Sequence, residues 1–408
     1  MRILLITQWF DPEPHFKGLP FARELAKLGH EVEVLTGFPN YPGGKVYKGY
    51  RMPAVQRETM EGIPVLRVPL YPSHDTSGLR RILNYSSFAV SATAMGSALV
   101  KPADVAYVYH PPGTIGLPAM ALKLLRRIPF VYDIQDLWPD TLKATGMFNY
   151  PAGLWVVDKW CRLVYSQASR IAVLSPGFKE ILVQRGVPER KIEVIYNWCD
   201  EGQIQLEERD EALARELSMA GRFNVVFAGT MGKAQALDAV LDAARILADR
   251  IPAVQFVFVG GGVDVPRLKD RTKELGLQKN VLFLPRRPVS EIGKVLNLAD
   301  VLLVHLKDDP LFSITVPSKT QAYLAVGKPI IMGVGGDAAD LVRRAGAGVV
   351  CRPENPQSIV EAVQKLYAMP SAELESMGQN GRAFYQRELS IRVGARRFAD
   401  LLEAARHT

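Results

Sequence analysis

The stretch VPSKTQAYLAVGKPI, residues 316–330, sets a hydroxyl and a cation where a short helix should begin. Ser318 three residues before Gln321 spells a capping box, S-x-x-Q, and Gly327 followed by Pro329 marks the helix end. That reading leaves Lys319 at the first helical position, where the helix dipole disfavours a cation. A bound phosphate would remove the conflict, because helix N-termini attract anions. The chemistry this loop suits is therefore neutralisation of a phosphate or diphosphate.

Other loops carry compatible groups. FAGTMGKAQALD places Gly229, Thr230, Gly232 and Lys233 between a strand and an amphipathic helix, a turn fit for a diphosphate clamp or simply for reversing the chain. LPRRP ends a strand with Arg286 and Arg287, one of which could face an anion. VGGGVDVPRL is glycine-rich but has no cation close by, so close backbone approach accounts for it. In QWFDPEPHFKGLPFAREL, Gly18 opens a helix behind Asp11, Glu13, His15 and Lys17, and its amides could meet an anion or belong to a proline-stiffened loop. His110 in VYHPPGTIG and Asp136 in YDIQDLWPD end strands. Either could be a general base, while His110 could equally be structural and Asp136 could cap the following helix. There is no Asp-x-Asp pair to hold a metal against a diphosphate, no His/Cys cluster, and no G-x-G-x-x-G fingerprint.

These loops must be positioned by strands. Short, nearly continuous apolar runs recur at residues 2–7, 31–36, 64–68, 104–109, 129–134, 170–175 and 191–196. After the acidic stretch GQIQLEERDEALARELS they restart at 223–229, 254–260, 280–285, 300–306, 329–334 and 348–352. Unbroken Val/Ile/Leu runs separated by helical patterns predict parallel strands covered on both faces. The restart predicts two doubly wound α/β domains, with ligands beyond the strands' carboxyl ends.

Bulk properties agree with a globular chain. Of 408 residues 48% are hydrophobic and 23% charged, and the formal charge of +8 suits an anionic small molecule or an anionic surface. No basic tract interleaves with aromatics, so nucleic acid is not an expected partner. Cys161, Cys199 and Cys351 are scattered and odd in number, which reads as reduced thiols in a cytoplasmic protein. The opening MRILLITQWF reads as a first strand rather than a signal peptide. The segment GLRRILNYSSFAVSATAMGSAL, with Arg80 and Arg81 in its first turn, could lie on anionic lipid at the inner face of the cytoplasmic membrane or form a core helix.

Taken together, LAKLGHEVEVLT (residues 25–36), VYHPP, VIYNWCD (194–200), FAGTMGKAQALDAVLDAA and VPSKTQAYLAVGKPII resemble the GT-B glycosyltransferases of the family-4 type. FPNYPGG, YDIQDLWPD and the PSK loop look most like the O-antigen and exopolysaccharide enzymes, among them transferases of N-acetyl-fucosamine and related deoxyhexosamines. The resemblance implies two Rossmann-like domains facing a cleft: an acceptor-side domain of residues 1–200 joined by a returning helix in 389–408, and a donor domain of 201–388. It implies transfer from a nucleotide-diphosphate sugar, probed first as a UDP-sugar, to an undecaprenyl-diphosphate-linked acceptor, without metal or other cofactor.

Carried over by position, the donor site comprises Gly18, Gly229, Thr230, Lys233, Arg286, Thr315, Val316, Pro317, Ser318, Lys319 and Gln321. The catalytic candidates are Asp136, His15, His110 and Lys319. The chain departs from the family at Ser313 and Gln321, where two glutamates usually stand. It departs again at Thr230 and Gln235, where an Arg and a Lys usually clamp phosphate. A nucleotide-sugar epimerase on the same fold, and a non-catalytic nucleotide-sugar-binding protein, are the competing readings.

Overall fold

A computed structural model describes residues 1–15, 17–73, 78–144 and 150–407. The chain divides into two compact units, Met1–Tyr196 with Gly394–Thr408, and Asn197–Val393.

The first unit is built on strands β1 (Arg2–Ile6), β2 (Glu31–Gly37), β3 (Gln56–Met60), β4 (Ile63–Val68), β5 (Val105–His110), β6 (Phe130–Ile134), β7 (Arg170–Val173) and β8 (Ile192–Val194). Their order across the sheet is β3-β4-β2-β1-β5-β6-β7-β8. All neighbours are parallel except β3 and β4. The apolar runs predict every one of these strands but β3. QRETM is polar except for Met60 and alternates half-buried with exposed positions, the pattern of an edge strand rather than a covered one. Glu61 and Gly62, both at positive φ, turn it back onto β4 as a two-residue hairpin. β1 lies between β2 and β5, so the chain direction across the sheet reverses there and the loops after β1 and β5 flank a topological switch point. The C-terminal helix Ile391–Arg406 supplies Phe398 to this unit, packed on Phe21 and Tyr107 with ring centroids 5.4 Å away in each case.

The second unit has six parallel strands, β9 (Phe223–Thr230), β10 (Val254–Gly261), β11 (Val281–Leu284), β12 (Val301–His305), β13 (Ile330–Gly333) and β14 (Gly348–Val350), in the order β11-β10-β9-β12-β13-β14. Its switch point falls between β9 and β12. Phe227, Phe256, Phe258 and Leu303 are buried with the apolar faces of the flanking helices. Each such side chain removed from water contributes about 1.5–3 kcal/mol. The glycines after β10 serve close approach: a Cβ on Gly260 would lie 2.1 Å from the Gly229 carbonyl oxygen, and one on Gly262 the same distance from that of Met231. Both have positive φ, so only glycine fits without strain.

Among the described residues no helix is long and apolar enough to cross a membrane. The helix Gly78–Ser91 buries Asn84, Phe88 and Ala89 against the first unit and leaves Leu79, Ile82, Leu83 and Val90 exposed. It is thus a core helix with an apolar outer face.

Candidate functional site

In the first unit the loop after β1 folds back into the strand ends. Lys17, fully buried, donates from Nζ to Asp133 Oδ2 on β6 (2.5 Å), and neither side chain is exposed. The Tyr107 hydroxyl donates to the same oxygen (2.5 Å) and Gln135 Nε2 to Oδ1 (2.7 Å). A buried ion pair is retained only when such added hydrogen bonds satisfy it. His15 packs edge-on to Tyr109 at 4.3 Å between centroids, and its Nδ1 accepts the Lys17 amide (3.2 Å).

Three expectations change here. The helix Leu19–Lys27 begins after Gly18, but the Leu19 amide donates to Asp11 Oδ2 (2.6 Å), and a Cβ on Gly18 would meet that oxygen at 2.3 Å. A carboxylate of the chain itself thus stands where an anionic ligand was expected. His15 and His110 are also poor bases. Burial and the Lys17 charge bring His15 down to about 3, and burial alone brings His110 to about 3. His110 is fully buried with both ring nitrogens lacking a partner, beside Tyr132 and Trp138. A base that weak holds almost no proton affinity at neutral pH. Asp136, by contrast, is half-buried, its carboxylate accepts no hydrogen bond among the described residues, and burial raises its pKa from the ordinary carboxylate value. It does not act as a helix cap.

In the second unit the loop after β9 and the helix Ser318–Val326 meet beside the switch point. The capping box does not form. Pro317 occupies the N-cap position, Ser318 is the first helical residue and is exposed, and Lys319 is the second. Gln321 is buried, and its amide, oriented by its surroundings, donates to the carbonyl oxygens of Pro317 and Ser318 (3.0 Å each). The reason is local: proline at the N-cap offers neither a hydroxyl to accept a first-turn amide nor an N–H for the glutamine to accept, so the glutamine donates to carbonyls instead. Gly327, at φ 73°, ends the helix in the left-handed region as expected. Tyr323 ties the helix to β9, its hydroxyl accepting the Ala228 amide (2.8 Å).

Lys319 Nζ is buried, has no hydrogen-bond partner among the described residues, and sits 3.4 Å from the centroid of the Phe227 ring. A Cβ on Gly229 would lie 3.1 Å from it. Burial lowers its pKa to about 7. Sequence reasoning thus brought together residues that do meet, Gly229 and Lys319, with Thr230 exposed next along the chain. Val316 is buried, and the Thr315 hydroxyl donates to Leu311 O (2.7 Å). Ser313, at one glutamate position, donates to Pro310 O (2.8 Å).

Lys233 keeps different company. It is exposed in the turn Lys233–Gln235 and lines a surface depression with Asp238, Asp264, Arg267, Lys307 and Glu354, without Lys319. Gln235 holds that turn, its Oε1 accepting the Gly232 amide (2.9 Å) and its carbonyl bonding buried His305 Nδ1 (2.8 Å). Arg286 is exposed, and Arg287 pairs with Glu291 (3.2 Å). His305, Gln235 and Tyr323 carry no motif of their own; only their places at strand ends and on the buried helix face could have singled them out. Among the described residues no group of three or more His, Cys, Asp or Glu is arranged to hold a metal ion.

Two doubly wound units, each gathering polar groups at its switch point, define a class. Residues 19–198 match the family described as "Glycosyl transferase 4-like domain", and residues 208–384 match "Glycosyl transferases group 1". The chain is a glycosyltransferase of the GT-B type.

Among its relatives, "Putative colanic acid biosynthesis glycosyl transferase WcaI" of Escherichia coli (strain K12) is 28% identical over 359 residues, covering 85% of this chain and 86% of that one. "Probable glycosyltransferase WbjE" of Pseudomonas aeruginosa is 23% identical over 407 residues, covering 98% and 96%. The crystal structure of Anabaena Alr3699/HepE in complex with UDP and glucose shares the fold, with a TM-score of 0.70 at 18% identity over 98% of this chain and 99% of that one.

Proposed function

We propose that the protein transfers an N-acetylated hexosamine or deoxyhexosamine from a nucleotide-diphosphate donor, a UDP-sugar, to a lipid-linked glycan in O-antigen, capsule or exopolysaccharide synthesis. The single observation that carries this reading is Lys319, a buried ammonium without a partner among the described residues, beside the positive-φ Gly229 at the donor unit's switch point. An unpaired buried cation is costly unless a ligand supplies its counter-charge. The diphosphate that leaves during transfer does so, and stabilising it lowers the barrier. In this reading no metal takes part, because the chain has no Asp-x-Asp pair to hold one. UDP in the HepE complex and the colanic acid name of the Escherichia coli relative support the donor and the pathway. Asp136 is the base if the reaction needs one.

A screen of nucleotide-sugars by thermal shift tests this, since a ligand bound only by the native state raises its stability. A UDP-N-acetylhexosamine should give the largest shift; no response to any UDP-sugar would sink the reading. The non-catalytic alternative has its own support, because Gln321 and Ser313 are bonded to backbone carbonyls and neither is poised toward a sugar. Turnover of bound donor with an acceptor present separates the two, and consumption of donor alone would indicate an epimerase.

Peripheral attachment to anionic membrane is part of the proposal. Leu79, Ile82 and Leu83 are exposed behind Arg80, and Leu124 and Leu125 are 82% and 70% exposed next to Arg126 and Arg127. Apolar side chains flanked by cations suit a lipid surface.

A further inference from the structure

Three half-buried aromatic rings converge on the acceptor-side unit from distant parts of the chain. Trp9 follows β1, Tyr41 follows β2, and Tyr85 lies on the helix Gly78–Ser91. The Trp9 ring is 5.4 Å from that of Tyr41 and 6.2 Å from that of Tyr85, in tilted and edge-on arrangements. Each ring has a buried amide as its chain neighbour, and those amides form one chain of hydrogen bonds. Gln8 Nε2 donates to Asn84 Oδ1 (2.5 Å), and Asn84 Nδ2 donates to Asn40 Oδ1 (3.3 Å). Buried Glu13 closes the frame, its Oε1 accepting the amides of Asn40 and Tyr41 (2.7 Å each) and its Oε2 that of Phe10 (3.2 Å). A polar network of this kind fixes geometry more than it adds stability.

The rings are thus held in place but not used up. A tyrosine or tryptophan that serves only the core finds a partner for its polar tip. Here neither the Trp9 indole N–H nor the Tyr85 hydroxyl makes a hydrogen bond among the described residues. A pyranose offers an apolar face of C–H groups and a rim of hydroxyls. Rigid aromatic area with a few well-placed polar groups is what such a ligand requires.

We propose that Trp9, Tyr41 and Tyr85 form a platform for the terminal pyranose of the acceptor. This rests on the transferase reading above and names the acceptor's chemistry.

The test uses saturation-transfer NMR on the full chain with methyl β-glucopyranoside, methyl β-galactopyranoside, methyl α-mannopyranoside and N-acetylglucosamine as probes, with UDP thermal shift run in parallel on every variant. The expected result is transfer to the ring C–H protons of at least one probe. Trp9→Ala and Tyr85→Ala should each weaken its binding about tenfold. Tyr85→Phe, which keeps the ring, should preserve the contact. The UDP response, located in the other unit, should be unchanged in all three variants, showing that they fold. No transfer to any probe, or transfer that survives Trp9→Ala, overturns the platform. If UDP still stabilises the protein in that case, the transferase reading stands without it.

Discussion

Each unit buries a lysine beside its topological switch point, and the two are solved in opposite ways. Lys17 has Asp133 at 2.5 Å, with Tyr107 and Gln135 completing the carboxylate's bonds. Among the described residues Lys319 has only the face of Phe227 and the open backbone of Gly229. A cation over an aromatic ring gains about 0.5–2 kcal/mol, far less than a buried ammonium loses on leaving water. The first charge is therefore satisfied within the fold, and the second is, on the proposed function, met by the charge of the donor. The same contrast separates the two helix starts. The amide behind Gly18 already holds the Asp11 carboxylate, whereas no carboxylate among the described residues bonds Lys319.

The contrast breaks most visibly in stability. Lys17→Met leaves Asp133 buried without its cation and should cost about 3–5 kcal/mol in urea unfolding. The double variant Lys17→Met/Asp133→Leu should recover much of that loss. Lys319→Met removes a charge that has no partner and should leave stability unchanged or raised. A comparable loss from both single variants would erase the distinction.

Next in size is turnover. Lys319→Met should cut transfer roughly tenfold or more if the ammonium meets leaving-group charge. Lys233→Met, whose side chain lies among balanced surface charges, should change it far less. Equal effects would return Lys233 to the donor site.

Membrane attachment sharpens a second difference, between an inward and an outward apolar face. Leu124→Asp with Leu125→Asp should lower co-sedimentation with anionic vesicles about tenfold or more, since each leucine buried in lipid contributes about 1.5–3 kcal/mol. Unaltered, salt-insensitive sedimentation would contradict it.

A further test of the same group is the pH dependence of stability. Lys319 has its folded pKa lowered to about 7 from 10.5, so between those values the unfolded chain binds more protons than the native one. Stability should rise with pH across that window in the parent protein, and Lys319→Met should flatten that part of the curve.

Much of this was legible in the sequence, for reasons that differ between regions. Parallel strands covered on both faces write themselves as unbroken apolar runs, so 13 of the 14 strands could be read directly; β3 escaped because an exposed edge leaves no such run. Gly229 and Lys319 were found because each stands at a strand or helix end that the pattern locates. The Lys17–Asp133 pair joins residues 116 positions apart, and no local spacing encodes that contact. The aromatic rings at 9, 41 and 85 were missed likewise, since only the β1-β2 pairing and the helix Gly78–Ser91 bring them together. The capping box was misread because S-x-x-Q fits the motif wherever the helix starts. The structure starts it one residue earlier in register, at Pro317.

The central claim, that Lys319 is held unpaired for a donor diphosphate, is tested most directly by calorimetric titration of UDP at pH 8 in two buffers of different ionisation enthalpy. At that pH the free amine is mostly deprotonated, and a bound diphosphate should draw a proton onto it. The account predicts binding with proton uptake in the parent protein, and binding at least about tenfold weaker with no proton uptake in Lys319→Met. UDP binding of unchanged affinity and proton stoichiometry in Lys319→Met would contradict it.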